Sequence, residues 1–153
     1  MKENTAKLEN QIEKLELEYK ELQKKIKIIK NTIYRKKTIL NIKNLLNRGW
    51  NVDIAERSKF AYLGLISFKQ AKIEIKFLIK KGGDINKIIE ETTILDLAIK
   101  EVAELEAILK CEETLFKCKY NPEKNLECVK KWILILRKLG ALTKEELDNL
   151  KSK

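Results

Sequence analysis

The side chains that could carry out chemistry in this chain are three cysteines and many charged groups, and histidine is absent. Cys111, Cys118 and Cys128 are separated by seven and ten residues, which is not the CxxC spacing of a zinc site. A metal ion would also need a fourth ligand. Without histidine the usual general base is missing. We therefore expect no metal, no cofactor and no enzymatic activity.

Sequence motifs for nucleotide or acyl chemistry are also missing. The chain has no GxGxxG, Walker or GxSxG pattern. A cysteine nucleophile would need a base other than histidine, such as lysine. We expect the cysteines to be ordinary thiols, and the alternative is a disulfide or redox role.

The basic charge is concentrated in one stretch of a chain whose net charge is +10. Residues 1–21 carry four Lys and six Glu, whereas residues 22–52 carry nine Lys or Arg and no acidic residue. One interpretation is a stripe that binds phosphates, and the other is a solvated face that also directs helix pairing. The candidate nucleic-acid contacts are Lys24, Lys25, Lys27, Lys30, Arg35, Lys36 and Lys37.

Apolar residues near the N-terminus repeat at alternating steps of four and three, the heptad pattern of a coiled coil. The pattern predicts a coiled-coil dimerisation helix over residues 1–37. The alternative is one amphipathic helix that folds back on the rest of the chain. The predicted dimer contacts are Leu8, Ile12, Leu15, Tyr19, Leu22, Ile26, Ile29 and Ile33.

Charges beside the heptad positions favour an antiparallel homodimer through residues 6–34. In a parallel pair, Lys25 would face Lys30 of the partner. In an antiparallel pair, Glu9 approaches Lys30 and Glu18 approaches Lys25. Each exposed ion pair contributes only about 0.3–0.5 kcal/mol.

The remainder of the chain contains a repeat of 33 residues. Residues 38–53 align with residues 71–86, so that Ile42 matches Ile75 and Gly49 matches Gly82. A fixed period of this length is typical of a helical solenoid, in which stacked repeats share one core. The scarcity of Gly and Pro also predicts an all-helical protein.

Several motifs resemble the ankyrin repeat family. Thr93–Ala98 (TILDLA) resembles the ankyrin TPLHLA motif, and Gly82–Asn86 (GGDIN) resembles its GADVN turn. The resemblance covers roughly residues 38–143 and implies two to three degenerate repeats of paired helices, with a first helix at FAYLGLISF (residues 60–68). It departs from the family pattern through an insertion of 25 residues within 99–125.

The predicted organisation is therefore a long coiled-coil helix, residues 1–37, that leads into an ankyrin-like domain, residues 38–153. We expect a protein–protein interaction module that binds an unidentified partner protein through two fingers, residues 50–58 and 83–92. The candidate partner contacts are Trp50, Asn51, Asp53, Arg57, Asp84, Asn86 and Lys87.

A second functional hypothesis is a phage or mobile-element inhibitor or adaptor. Such a protein would act on a host nucleoprotein complex, with the basic segment 24–37 contacting nucleic acid or an acidic protein surface. The N-terminus is charged and lacks an apolar signal segment. No run is long enough to span a membrane. We therefore expect a bacterial or phage protein of the cytoplasm that has no membrane partner.

Overall fold

A computed structural model describes residues 1–110 and 121–153, and the regular secondary structure in these two ranges consists of α-helices with no β-strand. Cys111, Cys118 and the middle of the predicted insertion lie outside the described residues. The chain divides into two compact units, Met1–Leu40 and Asn41–Lys153. The described helices are α1 (Lys2–Asn47), α2 (Ile54–Tyr62), α3 (Phe68–Lys80), α4 (Ile94–Lys110), α5 (Pro122–Lys138) and α6 (Lys144–Lys151).

Helix α1 runs for 46 residues without interruption. Its sequence contains neither Gly nor Pro, so nothing in the backbone breaks it before Gly49. The Thr32 hydroxyl donates to the Ile28 carbonyl at 2.9 Å, and the Thr38 hydroxyl donates to the Tyr34 carbonyl at 2.9 Å. These bonds satisfy the two hydroxyls within the helix itself.

Helix α2 begins earlier than the sequence prediction placed it, and the prediction of a helix over residues 60–68 was wrong. Asp53 caps the helix, because its carboxylate accepts from the Glu56 backbone N–H at 2.7 Å. The helix ends at Tyr62, and Gly64 with φ +76° forms the following turn. The first predicted finger, residues 50–58, is therefore a short loop followed by the first turns of α2.

The second predicted finger is present between α3 and α4. Ile89 and Thr92 exchange backbone hydrogen bonds of 2.8 and 3.0 Å, which close a two-residue turn. Glu90 and Glu91 form the turn with φ values of 49° and 65°, which lie in a backbone region that residues other than glycine rarely adopt. This turn is the tip of the segment Gly83–Thr93.

Helix α5 begins earlier than the sequence pattern predicts, because that pattern indicates a loop around residues 119–124 and a helix from Cys128 to Leu139. Pro122 opens the helix, and the Asn121 side chain caps it by accepting from the Lys124 N–H at 3.2 Å. Proline suits a first helical turn because its missing N–H would have no partner there. Residues 122–124, which the sequence placed in a loop, are therefore helical.

The core of the second unit is built around Trp132 on α5. Its side chain is fully buried, and its indole N–H donates to the buried Ser58 hydroxyl of α2 at 2.8 Å. The Phe68 ring packs against the indole with ring centres 5.2 Å apart. Other fully buried side chains are Ile42, Ile75, Leu95 and Leu136. The position of Trp132 in an apolar helical stretch of sequence predicts a core residue, and the structure confirms this prediction.

The C-terminal helix α6 begins with a capping box at Thr143. The Thr143 hydroxyl accepts from the Glu146 N–H at 3.2 Å, and the Glu146 carboxylate accepts from the Thr143 N–H at 2.8 Å. Among the described helices, none combines the length and the apolar content that a membrane-crossing segment requires.

We predict that Ser58→Ala lowers the free energy of unfolding by about 1–3 kcal/mol, because it leaves the buried Trp132 N–H without a partner. Urea denaturation followed by far-UV circular dichroism measures the change. Ser152→Ala is the control, because Ser152 is exposed at the end of α6. Equal stability of the two variants would contradict the importance of this bond.

Candidate interaction surfaces

The heptad residues of α1 form one exposed apolar line, which we call the seam. All eight predicted dimer contacts are exposed, with fractions between 47% and 62%. Monomeric proteins rarely expose large contiguous apolar patches, and such patches are typical of interaction surfaces.

A shallow depression also lies on α1. Its volume is ≈ 530 Å³, within the roughly 300–1,000 Å³ that ligand pockets occupy. It is lined by Tyr19, Gln23, Ile26, Lys27, Lys30 and Asn31. Apolar seam residues and amphipathic lysines share its walls.

The seven predicted nucleic-acid contacts are all exposed on α1. Among the residues that the structure describes, none of the seven forms an ion pair with a carboxylate. Their charge is therefore available to an external anion.

A groove in the second unit lies between the loop after α1 and the turn after α3. Its volume is ≈ 430 Å³. Val52, Ile54 and Leu78 contribute to its apolar lining, and Lys81 and Lys87 are among its charged residues. We call it the turn groove. Leu46, Lys81 and Ile89 of this groove were missed by the sequence prediction, because only the folded chain brings the two turns together.

Two predicted partner contacts, Asp53 and Asp84, line the turn groove but also have local structural roles. Asp53 caps α2, and Asp84 accepts from the Asn86 backbone N–H at 2.8 Å. Asp84 thus stabilises its own tight turn. A partner would have to share these carboxylates with the backbone.

Asn86 joins two distant turns. Its side-chain amide donates to the Gly140 carbonyl at 3.2 Å, and its side-chain oxygen accepts from the Leu142 N–H at 2.8 Å. The side-chain amide thus both donates and accepts a hydrogen bond within the chain. The structure therefore gives Asn86 a structural role.

Arg57 is turned toward the interior. Its side chain is 11% exposed, and its guanidinium lies 3.1 Å from the Glu56 carboxylate and 3.7 Å from the nearly buried Glu74. Gln70 donates to the other Glu74 oxygen at 2.9 Å. A buried charge needs such partners. Arg57 therefore contributes to the packing of α2 on α3.

Trp50, Asn51 and Lys87 remain as outward-facing candidates. Trp50 is 65% exposed, Asn51 is exposed, and Lys87 lines the turn groove. Exposed tryptophan is over-represented among residues that contribute most to protein–protein binding. Trp50 is the best anchor among the candidates.

Titratable groups in the described residues show structural pairings. Burial, followed by the charges of Glu101 and Glu104, raises the pKa of Tyr62. A hydrogen bond from Arg137 lowers the pKa of Glu146.

Within residues 1–110 and 121–153, no cluster of His, Cys, Asp or Glu could hold a metal ion. Cys128 is a free, half-buried thiol.

No protein-family model matches the chain, and the comparisons with curated proteins and with solved structures also found no match. Function is therefore inferred from the seam, the exposed cations and the turn groove of this chain.

We predict that Asn86→Ala lowers the free energy of unfolding by about 1–2 kcal/mol, because two hydrogen bonds between turns are lost. The matched control is Asn51→Ala, which we expect to change stability by less than about 0.5 kcal/mol because the residue is exposed. Urea denaturation compares the two. A larger loss of stability in Asn51→Ala than in Asn86→Ala would contradict the structural role of Asn86.

Proposed function

We propose that this protein is a non-catalytic interaction module that forms a homodimer through the seam of α1 and binds a partner protein through its second unit. The observation that carries the proposal is the exposure of eight apolar residues at strict heptad spacing. Covering a large apolar side chain is worth about 1.5–3 kcal/mol when burial is complete. The seam thus supplies a strong drive for association.

A second copy of this chain fits the seam in antiparallel orientation. The acidic first half of α1 then lies beside the basic second half of the partner, and Glu9 and Glu18 approach Lys30 and Lys25. Each such pair occurs twice in a two-fold symmetric dimer. The apolar layers pair Leu8 with Ile33, Ile12 with Ile29, Leu15 with Ile26, and Tyr19 with Leu22.

The second unit is proposed to be a short ankyrin-like stack. Three features support this assignment: short helix-helix connections, glycine turns at Gly49, Gly82 and Gly140, and hydrogen bonds between successive turns. The Thr93 hydroxyl also donates to the Leu142 carbonyl at 2.8 Å. Bonds of this kind would hold neighbouring repeats in register.

The partner surface is proposed to comprise Trp50, Asn51 and the turn groove with Lys87. Trp50 offers a large exposed ring, and the groove offers an apolar lining beside charged side chains. Interfaces commonly combine an aromatic anchor with a polar rim.

A second candidate function is supported by the exposed cations of α1. Residues 22–52 contain no acidic side chain, so the positive charge of residues 24–37 is not neutralised along the helix. A phage or mobile-element inhibitor or adaptor could use this segment against a host nucleoprotein complex. Binding of that kind would weaken steeply with salt.

We predict that Ile26→Asp converts the dimer to a monomer, because it places a carboxylate in an apolar layer. Ile28→Asp is the matched control, because Ile28 is equally apolar, exposed and on α1 but lies off the seam. Light scattering after size exclusion should give twice 17.9 kDa for the wild type and for Ile28→Asp, and 17.9 kDa for Ile26→Asp. A monomeric wild type at micromolar concentration would refute the dimer.

We predict that a photo-crosslinking amino acid at position 50 captures a partner in cells that express the chain naturally. The same amino acid at position 150 is the control, because Leu150 is 62% exposed and Trp50 is 65% exposed. Adducts specific to position 50 are expected. Identical adducts at both positions would show that capture reflects exposure alone.

A further inference from the structure

The cations of α1 do not all lie on the same side of the helix. Lys25 and Lys30 flank the seam. Lys20, Lys24, Lys27 and Arg35 lie on the face away from the seam, about 130–180° from it at 3.6 residues per turn. All four are exposed. We call these four residues the back row.

We propose that the back row binds the phosphate backbone of a nucleic acid, whereas Lys25 and Lys30 serve dimerisation. This division of roles rests on the antiparallel dimer proposed above. In that dimer the seam and its flanking charges are covered by the partner. The back row points away from the partner and stays open, so both kinds of binding can occur together.

The geometry of the row favours an extended ligand. From Lys20 to Arg35 the helix rises by about 22 Å at 1.5 Å per residue. A compact anion would meet only one or two of these side chains. A nucleic acid repeats its charge along a line and can meet all four. The row has no aromatic member, so binding by charge without base recognition is expected.

The surrounding sequence supports the same assignment. From residue 22 onward the row has no carboxylate on its own helix that could neutralise it, because residues 22–52 contain no Asp or Glu. On the N-terminal side, Glu13 lies on the same face and Glu21 is adjacent to Lys20, so the positive surface ends there. The row is therefore bounded at one end by acidic residues and is otherwise free of them.

Two double variants, each removing two lysines, test the division. Lys24→Gln with Lys27→Gln removes half of the back row, and Lys25→Gln with Lys30→Gln removes the flanking pair. Binding is measured by fluorescence anisotropy on the full chain with a duplex DNA of about 24 base pairs. For four phosphate contacts, the binding constant should fall about 100-fold between 50 and 200 mM salt.

The expected results separate the two roles. The back-row variant should stay dimeric. The magnitude of its slope of log K against log salt concentration should decrease by about 1.8, because two phosphate contacts are lost. The flanking variant should keep the slope and dimerise less well. A parallel dimer predicts the opposite effect on dimerisation, because it would lose the repulsion between Lys25 and Lys30.

Each other outcome has a defined meaning. No binding of the wild type to DNA at 50 mM salt would overturn the phosphate site, while the dimer mass would still test the proposed function separately. Equal loss of slope in both variants would overturn the division of roles. Equal binding of poly-L-glutamate at matched charge would overturn the assignment to nucleic acid in favour of an acidic protein surface.

Discussion

The fold of the second unit depends on helices that end at a glycine with left-handed backbone. Gly49, Gly82 and Gly140 have φ values of 81°, 100° and 94°. After each, the next residue's N–H bonds to a carbonyl five residues back, Trp50 to Leu45, Gly83 to Leu78 and Ala141 to Leu136. A side chain in this conformation costs about 1–2 kcal/mol, so glycine is the suitable residue. These turns end three helices, and the described helices that pack most closely are α2 with α3 and α4 with α5.

The polar residues near these turns can hydrogen-bond either to the backbone of this chain or to a partner. Asp53 and Asp84 complete backbone hydrogen bonds, and Asn86 joins its turn to Gly140 and Leu142. Polar side chains that satisfy the backbone stabilise the stack but are less available to a partner. The surface that we propose for recognition therefore comprises Trp50, Asn51 and the turn groove.

Helix α1 differs from most helices in having an exposed row of apolar residues. Most helices in proteins owe their stability to the burial of an apolar face against other elements. The seam residues of α1 are exposed in the part of the chain that the structure describes. In the homodimer that we propose, the acidic half of one helix lies beside the basic half of its antiparallel copy, and the cations behind the seam stay open. One helix can in this way carry two different contacts.

The sequence by itself determined the features that have local causes. Long runs without Gly or Pro predict helices, the glycines predict the helix ends, the heptads predict the seam, and Thr143 predicts the start of α6. The tertiary structure decided the rest. Ser58 is buried beside Trp132, which lies 74 positions later in the sequence, and Arg57 is turned inward toward Glu74 of α3. Asn86 acts on residues more than fifty positions away. Local patterns do not encode such contacts, because they exist only when distant segments pack together.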